Sequence, residues 1–370
     1  MLILIFSLVI LGFAVSCPAT LISRAWGRRA SALDTAPMPG QVKAPARAIP
    51  NVGGIGIFLG FTLPIAAGLL AAAFAGEAVA NVLPAIAPHM AGIKAQTPNA
   101  LVLLACLSVL HVLGLIDDRR PLGPFLKLVI MVVPAAAVVT LGQTRLFTFL
   151  DHHAGGQWLS VLATILWFVV ITNAMNFIDN MDGLSAGVGA IAGAFFLGAA
   201  ILNGQWFIAA CLALLVGSLL GFLVFNFPPA SIFMGDGGSL VLGFLLAYLT
   251  TRTTFLSEEP GTTASAWYGV LMPVIVLAVP LYDFVSVTTI RLAGGKSPFI
   301  GDLNHVSHRL VRRGLSKKAA VLVIYGFTAV TGVSGLLLGS LAPWQALVVG
   351  GQVLLIFGVV ALFEFAGGER

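Results

Sequence analysis

The sequence predicts an all-α polytopic membrane protein of about ten to eleven transmembrane helices, a single integral membrane domain over residues 1–370, and three observations carry this. Hydrophobic residues make up 59% of the 370 and charged residues 9%, where a water-soluble domain carries about 25% charge. That excludes a soluble globular enzyme, and no nucleic-acid partner is expected. Apolar runs of about the 20 residues needed for one crossing recur along the whole chain and leave no stretch for a separate soluble domain. Glycine, at 42 residues, stands well above the usual ~7% and suits helices that pack closely in lipid through small residues.

Each run ends at charges or at Gly, Pro and Asn breaks. The first, 1–23, has no basic residue before it and is followed by Arg24, Arg28 and Arg29, the charge order of an uncleaved first helix rather than a signal peptide. The second covers 52–75. The third, 99–116, stops at Asp117-Asp118-Arg119-Arg120, and the fourth, 124–141, opens after the proline break. The fifth, 158–177, closes in an Asn-rich patch, and the sixth and seventh cover 184–202 and 206–227. The eighth, 238–255, opens from a glycine turn. The ninth, 266–290, precedes the longest polar loop, and the tenth and eleventh, 319–339 and 343–365, complete the chain. Cys17, Cys106 and Cys211 lie inside apolar runs without metal-ligand spacing and read as core residues.

Alternate loops divide the basic residues unequally. Of 19 Lys and Arg, only Lys94, Arg145 and Arg252 fall on one side of this path. By the positive-inside rule the other side is cytoplasmic, with the amino terminus outside and the carboxyl terminus inside. Asp117, Asp118, Asp179, Asp182, Asp236, Asp302, His305 and His308 then all converge on the cytoplasmic face.

Four motifs on that face carry chemistry. Adjacent Asp117 and Asp118 repel each other, and a divalent cation or a proton stabilises such a pair. In Asn173-Ala174-Met175-Asn176-Phe177-Ile178-Asp179-Asn180-Met181-Asp182, Asn173 and Asn176 share one helical face, with Asp179 one turn on. Oxygen donors without thiol or imidazole suit Mg²⁺ or Mn²⁺ rather than zinc. Phe233-Met234-Gly235-Asp236-Gly237-Gly238-Ser239 is a glycine-rich turn opening a helix, where free N–H groups and the positive dipole end favour an anion, and Asp236 can hold a cation against a diphosphate. The loop 294–316 sets His305 and His308 beside Arg309, Arg312, Arg313 and Lys296, a cationic lid for a diphosphate.

Together with Arg47-Ala48-Ile49-Pro50-Asn51-Val52-Gly53-Gly54, these motifs resemble, in order, those of the polyprenyl-phosphate N-acetylhexosamine-1-phosphate transferases, glycosyltransferase family 4. The resemblance covers almost the whole chain. It implies transfer of a sugar-1-phosphate from a UDP-N-acetylhexosamine to polyprenyl (undecaprenyl) phosphate, with release of UMP and Mg²⁺ as cofactor, Mn²⁺ as the other candidate. This is the first membrane step of cell-envelope glycan synthesis, in the inner (cytoplasmic) membrane, and a homodimer is a family expectation. The resemblance also implies that Asp236 and Asn176 hold the metal and that Asp117, Asp118, Lys127, Asp179, His305 and His308 form the catalytic set. Phe233 is the implied uracil-stacking ring, with Asn173, Asp182, Arg309, Lys43 and Arg47 around the nucleotide.

Two positions depart from the family pattern. Asn180 stands where glycine is common between the motif acids, and asparagine best tolerates a left-handed backbone among the other residues. Ser307 replaces one histidine of a His-x-His-His cluster. The lack of a triple-histidine run favours UDP-GlcNAc as donor over the alternative, the phospho-N-acetylmuramoyl-pentapeptide transferase of peptidoglycan synthesis. A secondary transporter is the alternative from another class, though the acids gather at one face instead of the midplane.

Overall fold

The computed structural model describes residues 1–33, 47–148, 151–152, 155–253, 271–298 and 300–365. Among them the regular elements are helical: α1 (Leu2–Arg29), α2 (Gly54–Phe74), α3 (Gly76–Val82), α4 (Met90–Asp117), α5 (Pro124–Thr140), α6 (Trp158–Phe177), α7 (Leu184–Leu202), α8 (Trp206–Asn226), α9 (Asp236–Arg252), α10 (Met272–Val276), α11 (Ala278–Ala293), α12 (Val306–Arg312), α13 (Lys317–Leu337) and α14 (Pro343–Phe365).

Helices occupy every apolar run. Eight of them, α1, α2, α4, α6, α7, α8, α13 and α14, are long and apolar enough to cross a membrane, which makes the chain a multi-pass membrane protein. The remaining runs are shorter than expected. α5 and α9 have 17 residues each, a rise of about 25 Å against a hydrocarbon core of about 30 Å. The ninth run is not one uninterrupted helix: α10 ends at Val276, Leu277 leaves helical geometry at φ −94°, ψ 18°, and α11 follows. Pro280 supplies the reason, since it has no N–H to donate to the Val276 carbonyl and its ring crowds that oxygen.

α9 forms the centre. It is buried from Gly237 to Thr250, as a helix that is apolar all round requires, and it packs against α6, α4 and α2. α7 and α8 pack on each other, and α1 lies along α8 and α2. The α1–α8 contact uses the small residues the composition advertised. A Cβ on Gly217 would sit 2.0 Å from the Val9 carbonyl oxygen, and Ser16 Oγ donates to the Ser218 carbonyl at 2.7 Å. At the periphery α1 and α14 present apolar side chains outward, Ile3 at 85% and Leu354 at 76% exposure, the surface a lipid phase covers.

The up-and-down path collects the ends of α1, α4, α6, α8 and α11 with the starts of α2, α5, α7, α9 and α13. All the acidic motifs lie in these connections.

Candidate active site

The site is built on helix termini. α4 delivers Asp117 at its last turn and α9 begins at Asp236, two residues earlier than the apolar run suggested. Gly235, at φ +68°, makes the turn into α9, and a Cβ there would fall 2.5 Å from Asp118 Oδ2, so both backbone and space demand glycine. Backbones touch directly nearby: a Cβ on Gly54 would lie 2.3 Å from Gly238 N and one on Gly114 2.6 Å from the Asp236 carbonyl carbon. The 50–54 segment is tied to the glycine turn by Phe233 N–H to the Pro50 carbonyl (2.8 Å), Gly53 N–H to the Phe233 carbonyl (2.8 Å) and Gly54 N–H to the Met234 carbonyl (2.9 Å).

On this frame the adjacent aspartates face different partners. Asp118 Oδ1 accepts from Asp236 N–H (2.9 Å) and Asn51 Nδ2 (3.0 Å), and its Oδ2 from Gly237 N–H (3.2 Å). It closes the amino terminus of α9, where a carboxylate meets unpaired N–H groups and the positive dipole end. Asp117 accepts from Leu122 N–H at 2.7 Å and holds Lys127 Nζ at 2.7 Å. The same ammonium lies 2.5 Å from Asp236 Oδ2, while Asn176 Nδ2 donates to Asp236 Oδ1 and Ser239 Oγ, both at 2.9 Å. Asp117, Lys127, Asn173, Asn176 and Phe177 line one cavity of about 140 Å³. Asn173 is placed at its wall, donating to the Val169 carbonyl at 2.8 Å.

The donor set suits a hard cation. Asp236 Oδ2 is buried and accepts no aligned hydrogen bond; the Lys127 ammonium faces it at 2.5 Å, and the Asp117 carboxyl lies beside the Asp236 carboxyl. Mg²⁺ commonly takes one or two carboxylates and completes its shell with water and substrate phosphate. No group of three His, Cys, Asp or Glu is poised for a metal among the described residues, and a Mg²⁺ site of this kind needs none. Asp179 makes no side-chain hydrogen bond among the described residues; burial first, then the charges of Asp236 and Asp182, push its carboxyl up to about 8.

A second group lies beside this one. Arg47 Nη1 contacts both Asp182 oxygens, at 2.9 and 3.0 Å, and its Nη2 reaches the Ala230 carbonyl at 3.2 Å. Ala230 N–H donates to Asp182 Oδ2 at 2.9 Å. The guanidinium sits 5.2 Å from the centre of the Phe233 ring, so one ring face is already covered by a cation. Lys43 lies outside the described residues.

The histidine segment forms the third group. His305 Nδ1 is 2.7 Å from Asp283 Oδ2, and Asp283 Oδ1 accepts Val306 N–H at 2.7 Å. A carboxylate only accepts, so Nδ1 carries the proton in this contact and Nε2 remains for a ligand. The His305 ring meets Phe177 edge-on at 5.9 Å, and Arg291 lies 5.1 Å over the same phenyl. Burial, followed by the His305 charge, lowers His308 to about 4. Burial opposes ionisation of Asp302, but the Arg291 hydrogen bond and the Asn304 N–H hold its carboxyl below the usual range. Arg309 departs from the substrate-binding expectation. It is buried and held by Glu364 Oε2 and Ser286 Oγ, both at 2.9 Å, and by the Asn304 carbonyl, which makes it an anchor of α12 on α14.

Comparison with known proteins decides the family. The model described as "Glycosyl transferase family 4" matches residues 100–254. A Bacillus subtilis (strain 168) protein named "Probable undecaprenyl-phosphate N-acetylglucosaminyl 1-phosphate transferase" is 30% identical over 358 residues, 95% of this chain and 91% of its own. The chain belongs to glycosyl transferase family 4. The decaprenyl-phosphate N-acetylglucosaminephosphotransferase of Mycobacterium tuberculosis (strain ATCC 25618 / H37Rv) is 33% identical over 293 residues, 75% of this chain and 69% of that one. The undecaprenyl-phosphate alpha-N-acetylglucosaminyl 1-phosphate transferase of Escherichia coli (strain K12) is 27% identical over 237, 61% and 62% of the two chains.

Within this family 4 chain the sequence reading missed several residues. Asp283 and Glu364 were visible only as lone acids in apolar runs, and such residues are functional or paired by default. Asn51 lay inside a quoted motif but received no role, and Arg291, at 3% exposure, passed as a loop cation.

Proposed function

We propose that the protein transfers N-acetylglucosamine-1-phosphate from UDP-N-acetylglucosamine to a polyprenyl phosphate, releasing UMP, with Mg²⁺ as cofactor, at the cytoplasmic face of the inner membrane. The observation that carries the reading is the Asp117–Lys127–Asp236–Asn176 cluster between helix ends, in which Asp117, Lys127 and Asn176 line a cavity and Asp236 is bound behind Lys127 and Asn176. It joins oxygen donors for a cation to an ammonium for phosphate. The relatives' names support polyprenyl phosphate and N-acetylglucosamine over the muropeptide or transport alternatives, and the excess of Lys and Arg on this side supports a cytoplasmic face.

In the reaction an oxygen of the lipid phosphate attacks the phosphorus that bears the sugar. The bond from that phosphorus to the bridging oxygen breaks, and UMP leaves with the electron pair. Bound at Asp236 and Asn176, Mg²⁺ supplies charge neutralisation on the diphosphate. Lys127 orients the attacking phosphate, and Asp117 holds Lys127 in place. Asp118 fixes the α9 amino terminus by accepting its first N–H groups, and so holds Asp236 in place. Arg47, Asp182 and Phe233 form the nucleoside side, with the exposed ring face available to a base. His305, set by Asp283, closes the phosphate side. Positioning and charge neutralisation account for this type of transfer.

The test is UMP release by detergent-purified protein given undecaprenyl phosphate and Mg²⁺ with UDP-GlcNAc, UDP-GalNAc or UDP-MurNAc-pentapeptide in parallel. Lipid-dependent, EDTA-sensitive release with UDP-GlcNAc is expected, together with its loss in Asp236→Ala. Release with the muropeptide alone, or ligand flux without UMP, overturns the reading.

A further inference from the structure

Asn180 and Ser307, the two positions at which this chain departs from its family's pattern, touch. The Ser307 hydroxyl donates to Asn180 Oδ1 at 2.5 Å across 127 residues of sequence. Ser307 is fully buried, at 0% exposure, so water does not substitute for this partner. A buried serine in a helix ordinarily turns back to a carbonyl of its own preceding turn; this one reaches to another element. Asn180 is braced from behind, its Nδ2 donating to the Phe177 carbonyl at 2.8 Å. The left-handed backbone that the sequence invoked for Asn180 is not there, since the positive-φ residues near this turn include Gly183 and not Asn180. What the position uses is its side chain.

The link joins two halves of the site. Asn180 follows Asp179, which feels the Asp236 charge, while Ser307 lies between His305 and His308. Beside it the Phe177–His305 contact is edge-on and apolar, and His305 is tied to Asp283 on α11, whereas the Ser307–Asn180 hydrogen bond joins α12 directly to the segment after α6 and fixes that distance. We propose that Asn180 and Ser307 are a positioning pair that sets the gap between the α12 histidines and the Asp179–Asp236 carboxylates, where the phosphates of the nucleotide sugar are held. This rests on the transferase reading above. The pair is also matched in size: at 2.5 Å a larger side chain at 307 has no room while Asn180 is present.

The test uses the full-length protein in detergent with Asn180→Gly, Ser307→Ala and the double substitution. Each single change is expected to lower kcat about tenfold, the effect of one buried hydrogen bond expressed in the transition state, with KM for UDP-GlcNAc within twofold. The double is expected to be no worse than the poorer single, because both remove one link. Carbethoxylation of His308 by diethyl pyrocarbonate, read by mass spectrometry, is expected to quicken several-fold in all three. Ser307→His alone is expected to be inactive, with activity regained in Asn180→Gly/Ser307→His. Ser307→Cys, similar in size but a weak donor, carries the same expectation as Ser307→Ala should Asn180→Gly not fold. Unchanged kcat in the single variants, multiplying losses in the double, or unchanged labelling each overturn the proposal. Wild-type protein without UDP-GlcNAc turnover sinks the transferase reading alone, and labelling then decides the pair: faster labelling upholds it and equal labelling ends it.

Discussion

Replacing Asp118 with alanine is expected to cost far more stability than replacing Asp117, although the two are neighbours of the same type. Asp118 gives up three hydrogen bonds at 2.9 to 3.2 Å, two of them from the first backbone N–H groups of α9. Each buried N–H left without a partner costs about 1–3 kcal/mol, a cost that does not require the Asp118 carboxyl to be charged, which burial and the Asp236 charge oppose. The three bonds share one carboxyl and do not add, so about 4 kcal/mol is the reasonable sum. Asp117 gives up one backbone bond and one of two carboxylate contacts to a lysine that keeps Asp236, about 1–2 kcal/mol. With an unfolding entropy of about 2.1 cal/mol/K per residue over 370 residues, these correspond to falls in melting temperature of about 5 °C and about 2 °C. Thermal unfolding of the purified variants by intrinsic fluorescence reads the difference, and turnover of the folded Asp117→Ala protein is expected to drop at least ~100-fold. Asp117→Ala melting as low as Asp118→Ala, or Asp118→Ala melting like wild type, refutes the division of labour.

Other outcomes follow from the same geometry. Arg47→Ala and Asp182→Ala are each expected to raise KM for the nucleotide sugar about tenfold, and the double variant no further, since both break the same ion pair; a double-mutant cycle on KM checks this. Because His308 is lowered to about 4 from about 6.5 in the unfolded chain, the native state binds fewer protons. Its contribution is complete above pH 6.5 and is lost as pH falls towards 4, opposite in sign to that of Asp179, raised to about 8, so the melting temperature of His308→Gln is expected to gain on that of wild type as pH falls through that window. Gly54→Ala is expected to abolish folding or activity, because its Cβ would meet the Gly238 backbone at 2.3 Å; a normal melting curve with full turnover contradicts the close-packed account.

Legibility in the sequence followed the range of the physics involved. Hydropathy acts locally, so the positions of the membrane helices and the burial of Cys106 and Cys211 could be read directly, whereas Cys17, also expected in the core, is only half-buried on the peripheral α1. The break at Leu277 could not, because its cause is one proline inside an otherwise apolar run, where Pro18, Pro64 and Pro134 are tolerated inside α1, α2 and α5. Convergence of the acids followed from the alternating path, and the meeting of Asp117, Lys127, Asn176 and Asp236 agrees with it. Which carboxylate oxygen faces which donor depends on the angle at which helix ends meet, and side-chain type alone gave Asp117 and Asp118 the same role. The ion pair of Arg309 was hidden for a similar reason: its counter-charge, Glu364, is 55 positions away on the last helix. Asn180 was explained by backbone tolerance, but its backbone is not left-handed and its side chain instead meets Ser307 on α12.

Direct contact between the Gly54, Gly114 and Gly237–Gly238 backbones has a mechanical consequence. Where side chains pack, a rotamer change can absorb a displacement of an ångström; where main chain rests on main chain, no soft coordinate remains. The ends of α2, α4 and α9 therefore move as one fixed jaw carrying Asp118 and Asp236. Any adjustment to a bound substrate is therefore expected on the other side of the cavity, in the 300–313 segment and the start of α5, and labels for motion belong there.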